Sequence, residues 1–145
     1  MILTLADLAA TERFAAAIAA VARPGDAILL AGPLGAGKTA FARAFLRAAA
    51  EDPTLEVPSP SFTLVQSYDT LRGTVHHYDL WRLDGPQALA ELGWEDARDD
   101  IVLVEWPDRL GALTPPDALR LAFDLAEGEA RVVTTDGWSG RLANP

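Results

Sequence analysis

One stretch of the sequence combines glycines, a lysine and a threonine at a spacing that suits phosphate chemistry. Residues 32–39 read GPLGAGKT, which is the G-x-x-x-x-G-K-T pattern of a P-loop. Glycines in such a loop let successive backbone N–H groups point at phosphate oxygens. The Lys38 ammonium would meet the β- and γ-phosphates, and the Thr39 hydroxyl can bind Mg²⁺. The stretch therefore predicts a site for a nucleoside triphosphate with Mg²⁺; the alternative is a glycine-rich turn before a helix.

The lysine of this stretch is singular in the chain. The sequence contains twelve Lys and Arg residues, and Lys38 is the only lysine among them. A lysine carries a compact, mobile charge, whereas an arginine presents a planar fork of donors. A single lysine at the position where a P-loop needs a compact ammonium strengthens the prediction of phosphate binding.

Two carboxylates stand near the ends of apolar, β-rich runs. Residues 101–105 read IVLVE, the pattern of a buried parallel strand that delivers an acid to Mg²⁺ beside a P-loop. Glu105 is therefore a candidate Walker B residue. Asp79 lies near the end of residues 74–80, TVHHYDL, where an acid is either an exposed strand cap or a buried functional group. The residues alone leave both interpretations of Asp79 open.

The elements beside the P-loop would position it. Residues 26–31 (DAILLA) predict a short buried strand, and residues 39–50 predict a helix that ends before Pro53. Residues 5–22 predict an amphipathic helix, for which Thr11 is a candidate N-cap. Bound phosphates would lie at the N-terminus of the P-loop helix. There they would meet the backbone of Gly35, Ala36, Gly37, Lys38, Thr39 and Ala40.

The middle of the chain predicts an antiparallel hairpin. Its strands are residues 62–68 and 74–80, around a turn at 69–73. His76 and His77 are neighbours on the second strand, so they face opposite sides and cannot both bind one metal ion. Residues 58–61 (PSPS) form a hydroxyl-bearing loop before the hairpin, which is either a γ-phosphate switch or a rigid connector.

The remaining segments are a short helix, a loop and a second hairpin. A helix is expected to start at Asp84-Gly85-Pro86 and to end at Leu92, and residues 110–116 are expected to form a loop. Residues 119–125 and 130–135 predict the second hairpin. Residues 136–145 are expected to form a loose tail.

Composition limits the class of protein. The chain has 145 residues, of which 50% are hydrophobic, so we expect a single domain with a real core, spanning residues 1–145. It has no cysteine, no apolar run of roughly 18 residues and no basic leader, so we expect a soluble, cytoplasmic protein that does not enter a membrane. A net charge of −9 argues against direct binding of nucleic acid by this chain alone.

These elements predict an α/β P-loop NTPase fold, with a short parallel core sheet extended by antiparallel strands and helices on both faces. A guanine-specific GTPase would need an N-K-x-D element, which a chain with one lysine inside its P-loop cannot contain. A small-molecule kinase is the main enzyme alternative, although 145 residues leave little room for a lid and an acceptor pocket.

Four sequence blocks together resemble a known family. In order they are residues 32–39 (GPLGAGKT), 59–65 (SPSFTLV), 77–82 (HYDLWR) and 102–106 (VLVEW). The chain is similar to the bacterial TsaE/YjeE family, the small ATPases of tRNA threonylcarbamoyladenosine synthesis. The resemblance runs from about Thr11 to Pro107 and is weak in the C-terminal hairpin.

The resemblance implies a Mg²⁺-dependent P-loop ATPase that transfers a phosphoryl group to water. Such a subunit is slow alone and is activated in a complex with TsaB and TsaD, in which TsaD modifies adenosine 37 of tRNA. Contact with tRNA would then be indirect, through the complex, and the cofactors would be ATP and Mg²⁺.

The family's functional residues match positions of this chain. Lys38 and Thr39 would bind phosphate and Mg²⁺, Glu105 would be the Walker B acid, and Asp79 would be a second essential carboxylate near the metal or the attacking water. The other matching positions are the switch-loop residues Ser61 and Thr63, Trp106 after the Walker B acid, and Thr11 near the nucleotide.

The chain departs from the family pattern at three positions. Pro33 stands where the family usually has Asp, Ala15 where Gly is usual, and Ser61 where Thr is common. None is a catalytic position, but Pro33 and Ala15 affect the expected nucleotide contacts. Arg82 is a candidate arginine finger in cis. Two other functions stay open, a small-molecule kinase and a nucleotide-gated binding module whose hydrolysis is incidental.

Overall fold

A computed structural model describes residues 1–142 of the chain, which form a mixed sheet with helices on its two faces. The strands are β1 (Ile2–Leu5), β2 (Ala27–Ala31), β3 (Val65–Thr70), β4 (Gly73–Asp79), β5 (Ile101–Glu105), β6 (Leu119–Leu125) and β7 (Arg131–Asp136). The α-helices are α1 (Leu8–Val21), α2 (Lys38–Ala50) and α3 (Trp94–Ala97), and two 3₁₀ helices span Pro86–Leu92 and Pro107–Leu113.

The sheet has seven strands in the order β1-β7-β6-β2-β5-β4-β3. The central strands β6, β2, β5 and β4 are parallel. Strand β3 pairs with β4 in antiparallel orientation at one edge, and β7 and β1 extend the other edge in the same way. The predicted fold class is confirmed, a parallel core extended by antiparallel strands.

Two apolar layers cover the sheet. Helices α1 and α2 pack on one face, where Ile18, Phe41 and Phe45 are completely or almost completely buried. The short 3₁₀ helices and α3 cover part of the other face, around Tyr78, Leu89 and Trp94. None of the described helices has the length and apolar character that crossing a lipid bilayer requires.

Strands β2 and β5 position the candidate site. Each lies between two parallel neighbours and under apolar layers on both faces, which explains why their sequences are nearly continuous apolar runs. Because they are parallel, their carboxyl ends meet at one edge of the sheet. The P-loop follows β2 at that edge, and Glu105 is the last residue of β5.

The N-terminal segment differs from its prediction. Residues 2–5 form a strand that pairs with β7, and the helix begins only at Leu8. Its N-cap is Asp7, whose carboxylate accepts a hydrogen bond from the Ala10 N–H at 2.9 Å, so the assignment of Thr11 as N-cap is wrong. The partner strand lies about 130 residues away in sequence, so the apolar pattern of residues 2–5 could not reveal the pairing.

The first hairpin is confirmed with shifted bounds. Strand β3 starts at Val65 rather than Phe62, because residues 61–64 form a turn that is closed by a hydrogen bond from the Leu64 N–H to the Pro60 carbonyl at 2.7 Å. The predicted helix after Gly85 is a 3₁₀ helix, and most of the predicted loop at 110–116 belongs to the second 3₁₀ helix.

The C-terminal tail packs against the domain as far as it is described. The Arg141 guanidinium makes two hydrogen bonds of 2.7 Å to the Asp26 carboxylate and one of 3.0 Å to the Val21 carbonyl. Leu142 is buried. Because of these contacts, the expectation of a loose tail is wrong for residues 136–142. Residues 143–145 lie outside the described residues.

Candidate nucleotide-binding site

The P-loop connects β2 to α2 and depends on its glycines. Gly32, Gly35 and Gly37 have φ values of +134°, +78° and +110°, a region that side chains disfavour. A Cβ atom at Gly32 would also collide with the Phe123 carbonyl on β6. The loop is closed by a hydrogen bond of 3.2 Å from the Ala36 N–H to the Pro33 carbonyl. The exposed Pro33 thus lies within the loop's own turn.

Lys38 lies inside the loop. Its ammonium donates a hydrogen bond to the Gly32 carbonyl and lies 3.3 Å from the centroid of the Trp106 ring. Burial lowers the pKa of Lys38, and the negative charges of Glu105, Asp79 and Asp108 partly oppose that shift. The loop therefore holds a partly desolvated cation at the N-terminus of α2, where anions are favoured.

Glu105 links the sheet to the P-loop helix. The residue is 2% exposed, and its Oε1 accepts a hydrogen bond of 3.1 Å from the Thr39 hydroxyl. Its Oε2 lies 2.8 Å from Nε2 of His77 on β4. Both oxygens of this buried carboxylate therefore have a partner on a different element.

Asp79 lies beside Glu105. The two residues are register partners at the ends of β4 and β5, and Asp79 is 6% exposed. Its Oδ1 accepts a hydrogen bond of 3.1 Å from the Trp81 N–H, and its Oδ2 lies 3.5 Å from the Ser61 hydroxyl. The loop before β3 therefore reaches the acids through Ser61.

Thr39, Asp79 and Glu105 present oxygen atoms, the ligands that Mg²⁺ prefers. Among residues 1–142, no group of three or more His, Asp or Glu side chains is arranged to hold a metal by itself. A P-loop Mg²⁺ needs no such group, because phosphate oxygens and water complete its shell. The donor set thus fits a metal that arrives with a nucleotide, held by Thr39 and with the two acids beside it.

Aromatic side chains form one wall of the site. Trp106 has a φ of +59°, and its ring contacts both Lys38 and the half-exposed Trp81, whose ring centroid lies 4.4 Å from that of Trp106. Arg82 lies over the ring of the exposed Phe62, at 4.7 Å from its centroid. Arg82 therefore contacts the loop before β3.

A cleft of about 650 Å³ lies next to the P-loop, between the second 3₁₀ helix and strands β2, β6 and β7. Gly32 and Pro33 form one end of its lining, and Trp106, Pro107 and Asp108 form another part. Pro33 thus contributes to a largely apolar surface immediately beside the phosphate loop.

The chain is similar in sequence to known proteins. A sequence model of the family described as "Threonylcarbamoyl adenosine biosynthesis protein TsaE" matches residues 5–133. The chain belongs to the TsaE family. Two relatives, each named tRNA threonylcarbamoyladenosine biosynthesis protein TsaE, show the extent of the similarity. The protein of Rickettsia felis is 35% identical over 123 residues, covering 84% of this chain and 71% of that protein. That of Bacillus subtilis is 32% identical over 126 residues, covering 86% and 77%.

A solved structure supports the fold. The crystal structure of YdiB from Bacillus subtilis is similar with a TM-score of 0.76 and 25% sequence identity, and the match covers 99% of this chain and 88% of that chain. The TsaE family match and this structural similarity are consistent with the resemblance that the four sequence blocks indicate.

Several residues that the TsaE resemblance singles out lie together. Lys38, Thr39, Asp79, Glu105 and Trp106 converge at one edge of the sheet, and Ser61 reaches Asp79. Their roles in binding and catalysis stay predictions.

Other predicted positions make no hydrogen bond to this cluster among the described residues. Thr63 is exposed on the loop before β3. Thr11 is buried in α1, one turn before Phe14, whose ring lies 5.7 Å from that of Phe41 in α2. Ala15 is fully buried between the helices and the sheet. The nucleotide contact expected of Thr11 stays a prediction.

The contact between His77 and Glu105 is absent from the sequence predictions. There His77 appears as the first residue of the block 77–82 and as a neighbour of His76 that cannot share a metal ion with it. One signal was available, because alternation along a strand places His77 and Asp79 on the same face. A buried histidine two residues before a candidate site acid on the same face is a candidate partner of the site.

Proposed function

We propose that this protein is the ATP-hydrolysing accessory subunit of the machinery that makes N6-threonylcarbamoyladenosine in tRNA. The observation that carries the proposal is the hydrogen bond between Thr39 of the P-loop helix and Glu105 of β5, with Lys38 and Asp79 beside it. This is the arrangement that a Mg²⁺-dependent phosphoryl transfer to water requires. The names of the related TsaE proteins supply the tRNA context.

Each residue of the site would have a role that follows from its charge. The backbone N–H groups of residues 35–40 and the Lys38 ammonium would hold the phosphates, and Thr39 would bind the metal directly. Glu105 would accept a hydrogen bond from a metal-bound water, because its carboxylate already faces Thr39. Asp79 would orient the attacking water or a water of the metal. Mg²⁺, when bound, would neutralise charge on the phosphate oxygens.

The isolated subunit should be slow. Arg82, the candidate arginine finger, lies over the Phe62 ring and makes no hydrogen bond to the P-loop cluster among the described residues. The Ser61 hydroxyl contacts Asp79 at 3.5 Å, the longest of the site's hydrogen bonds, and Phe62 next to it is 83% exposed. A partner that packs on Phe62 would move this loop and release Arg82. These contacts support the proposal that the subunit is activated in a complex.

The proposed partners are TsaB-like and TsaD-like proteins, and tRNA would be met only through the complex. The net charge of −9 supports indirect contact, because a strongly acidic chain is repelled by phosphate backbones. The cytoplasm, where tRNA is modified, is the proposed location.

The deciding experiment measures phosphate release from ATP and from GTP in Mg²⁺, with the chain alone and with TsaB and TsaD added. We expect slow release from ATP alone, faster release in the complex, and a preference for ATP over GTP. Lys38→Ala should abolish release in both settings. Full-rate hydrolysis that the partners do not change would contradict the proposal.

Two arms of this experiment test other functions. ADP formation that rises with an added small-molecule acceptor, without matching free phosphate, would indicate a kinase. A variant that binds ATP without hydrolysing it, yet fully supports tRNA modification, would indicate a nucleotide-gated binding module. Either result would contradict the proposal that ATP hydrolysis is the protein's function.

A further inference from the structure

His77 is a fully buried histidine that faces a buried carboxylate. It lies on β4, and its Nε2 is 2.8 Å from Oε2 of Glu105, which is 2% exposed. The other oxygen of that carboxylate accepts the Thr39 hydroxyl. Glu105 is therefore held between the histidine of β4 and the threonine of α2.

The chemistry of this contact fixes the role of the imidazole. A carboxylate accepts hydrogen bonds, so the Nε2–H group of His77 donates one to Oε2 of Glu105. Nδ1 of His77 is buried and has no hydrogen-bond partner among the described residues. The hydrogen bond to Glu105 is therefore the one polar contact of this ring among the described residues.

Glu105 needs such a donor for two reasons. Its side chain has three rotatable bonds, and its register partner is Asp79, whose negative charge repels it. In addition, the Thr39 hydroxyl that now donates to Glu105 is the group that would turn its oxygen toward a metal. The His77 N–H is then the contact that keeps the carboxylate in place throughout.

We propose that His77 is a positioning residue that holds the Glu105 carboxylate toward the Mg²⁺-nucleotide. The proposal rests on the function proposed above and adds to it a residue that acts through Glu105 without touching the nucleotide. The proposed role depends on one hydrogen bond, from Nε2 of His77 to Oε2 of Glu105, and both side chains are buried.

The neighbouring residue provides a matched control. His76 also pairs with a carboxylate, with its Nε2 2.9 Å from Asp100, but it lies on the opposite face of β4 and its Nδ1 faces the Ser67 hydroxyl at 2.6 Å. This second histidine–carboxylate pair lies at the start of β5, at the far end of the strand from Glu105. The same substitutions can therefore be made in the same strand, inside and outside the site.

The test compares His77→Gln with His77→Met, because alanine would also leave a cavity. The two replacements have nearly the same length and volume, and only glutamine offers an N–H in the place of Nε2. The first readout is the binding of a fluorescent ADP analogue as a function of Mg²⁺ concentration, and the second is phosphate release from ATP in the presence of the partners.

We expect His77→Met to raise the Mg²⁺ concentration for half-maximal binding about 10- to 100-fold, and to slow phosphate release by a similar factor. In His77→Gln, both the Mg²⁺ concentration for half-maximal binding and the rate of phosphate release should stay within about threefold of the natural protein, because the hydrogen bond is retained. Binding of the analogue without Mg²⁺ should be the same in all variants. His76→Gln and His76→Met should behave like the natural protein in every measurement.

Three results would overturn the proposal. They are an unchanged Mg²⁺ dependence in His77→Met, a glutamine variant as impaired as the methionine variant, and an equal loss of binding without Mg²⁺. Lys38→Ala separates this failure from a failure of the proposed function. If Lys38→Ala abolishes phosphate release while His77→Met does not alter it, the ATPase stands and the role of His77 does not.

Discussion

Glu105→Gln is the sharpest test of how the site handles its metal. The glutamine carbonyl can accept the hydrogen bond from His77, and its NH₂ can donate to the Thr39 oxygen after the hydroxyl rotates, so the fold should be retained. What is lost is the negative charge. A hydrogen bond to a charged acceptor contributes about 1.5–3 kcal/mol, roughly twice a neutral one.

The expected loss follows from that figure. If the carboxylate holds one metal-bound water in the transition state, removing its charge costs up to about 1.5–3 kcal/mol, which is roughly a 10- to 150-fold fall in turnover. Glu105→Ala, which removes both acceptors, should abolish turnover, as should Asp79→Ala. The assay is steady-state phosphate release in the presence of the partners over a range of Mg²⁺ concentrations, which separates metal affinity from the maximal rate.

Asp100→Asn is the matched control for this prediction. Asp100 also pairs with a histidine, His76, but lies at the opposite end of β5 from the site. The Asp100→Asn variant should release phosphate at the same rate as the natural protein. We expect turnover in Glu105→Gln to fall roughly tenfold or more. If it stays within about twofold of the natural protein at every Mg²⁺ concentration, the assignment of Glu105 to the metal is refuted.

Two further predictions concern stability. Burial raises the pKa of Tyr78 to about 12 from 10.0, so its stabilisation of the fold is complete below about pH 10 and is lost as the pH rises through about 12. In urea unfolding, Tyr78→Phe should therefore lose less stability than the natural protein between about pH 9 and pH 11; an equal loss would contradict this. Arg141→Ala should lower the free energy of unfolding by about 1.5–3 kcal/mol, because it removes two charged hydrogen bonds to Asp26, and the double variant with Asp26→Ala should show strong coupling. Additive effects in that cycle would show that the tail is not held by this pair.

Much of the site could be predicted because its signals are contiguous in sequence. The P-loop needs glycines at fixed spacing, with a strand before it and a helix after it, and all of this lies within residues 26–50. Glu105 could be located in the same way, since a strand buried on both faces reads as an apolar run and its last residue is evident.

The errors fell where a partner is distant in sequence. The strand at Ile2–Leu5 pairs with the distant β7, whereas the local pattern predicts a helix that starts at Leu5. A terminal position predicts a loose tail, but Arg141 pairs with Asp26, which lies 115 residues earlier.

The sequence by itself determined the chemistry of this protein's candidate site and the class of its fold. Glycine spacing, one lysine and two acids at strand ends are properties of local segments, and local segments are visible in a single chain. The tertiary structure decided which groups meet. Strand order and register bring Asp79 beside Glu105 and turn His77 toward the same carboxylate, across 28 residues of sequence. Such contacts depend on the pairing of β4 with β5, which are distant in sequence, and a local segment does not specify which distant strand lies beside it.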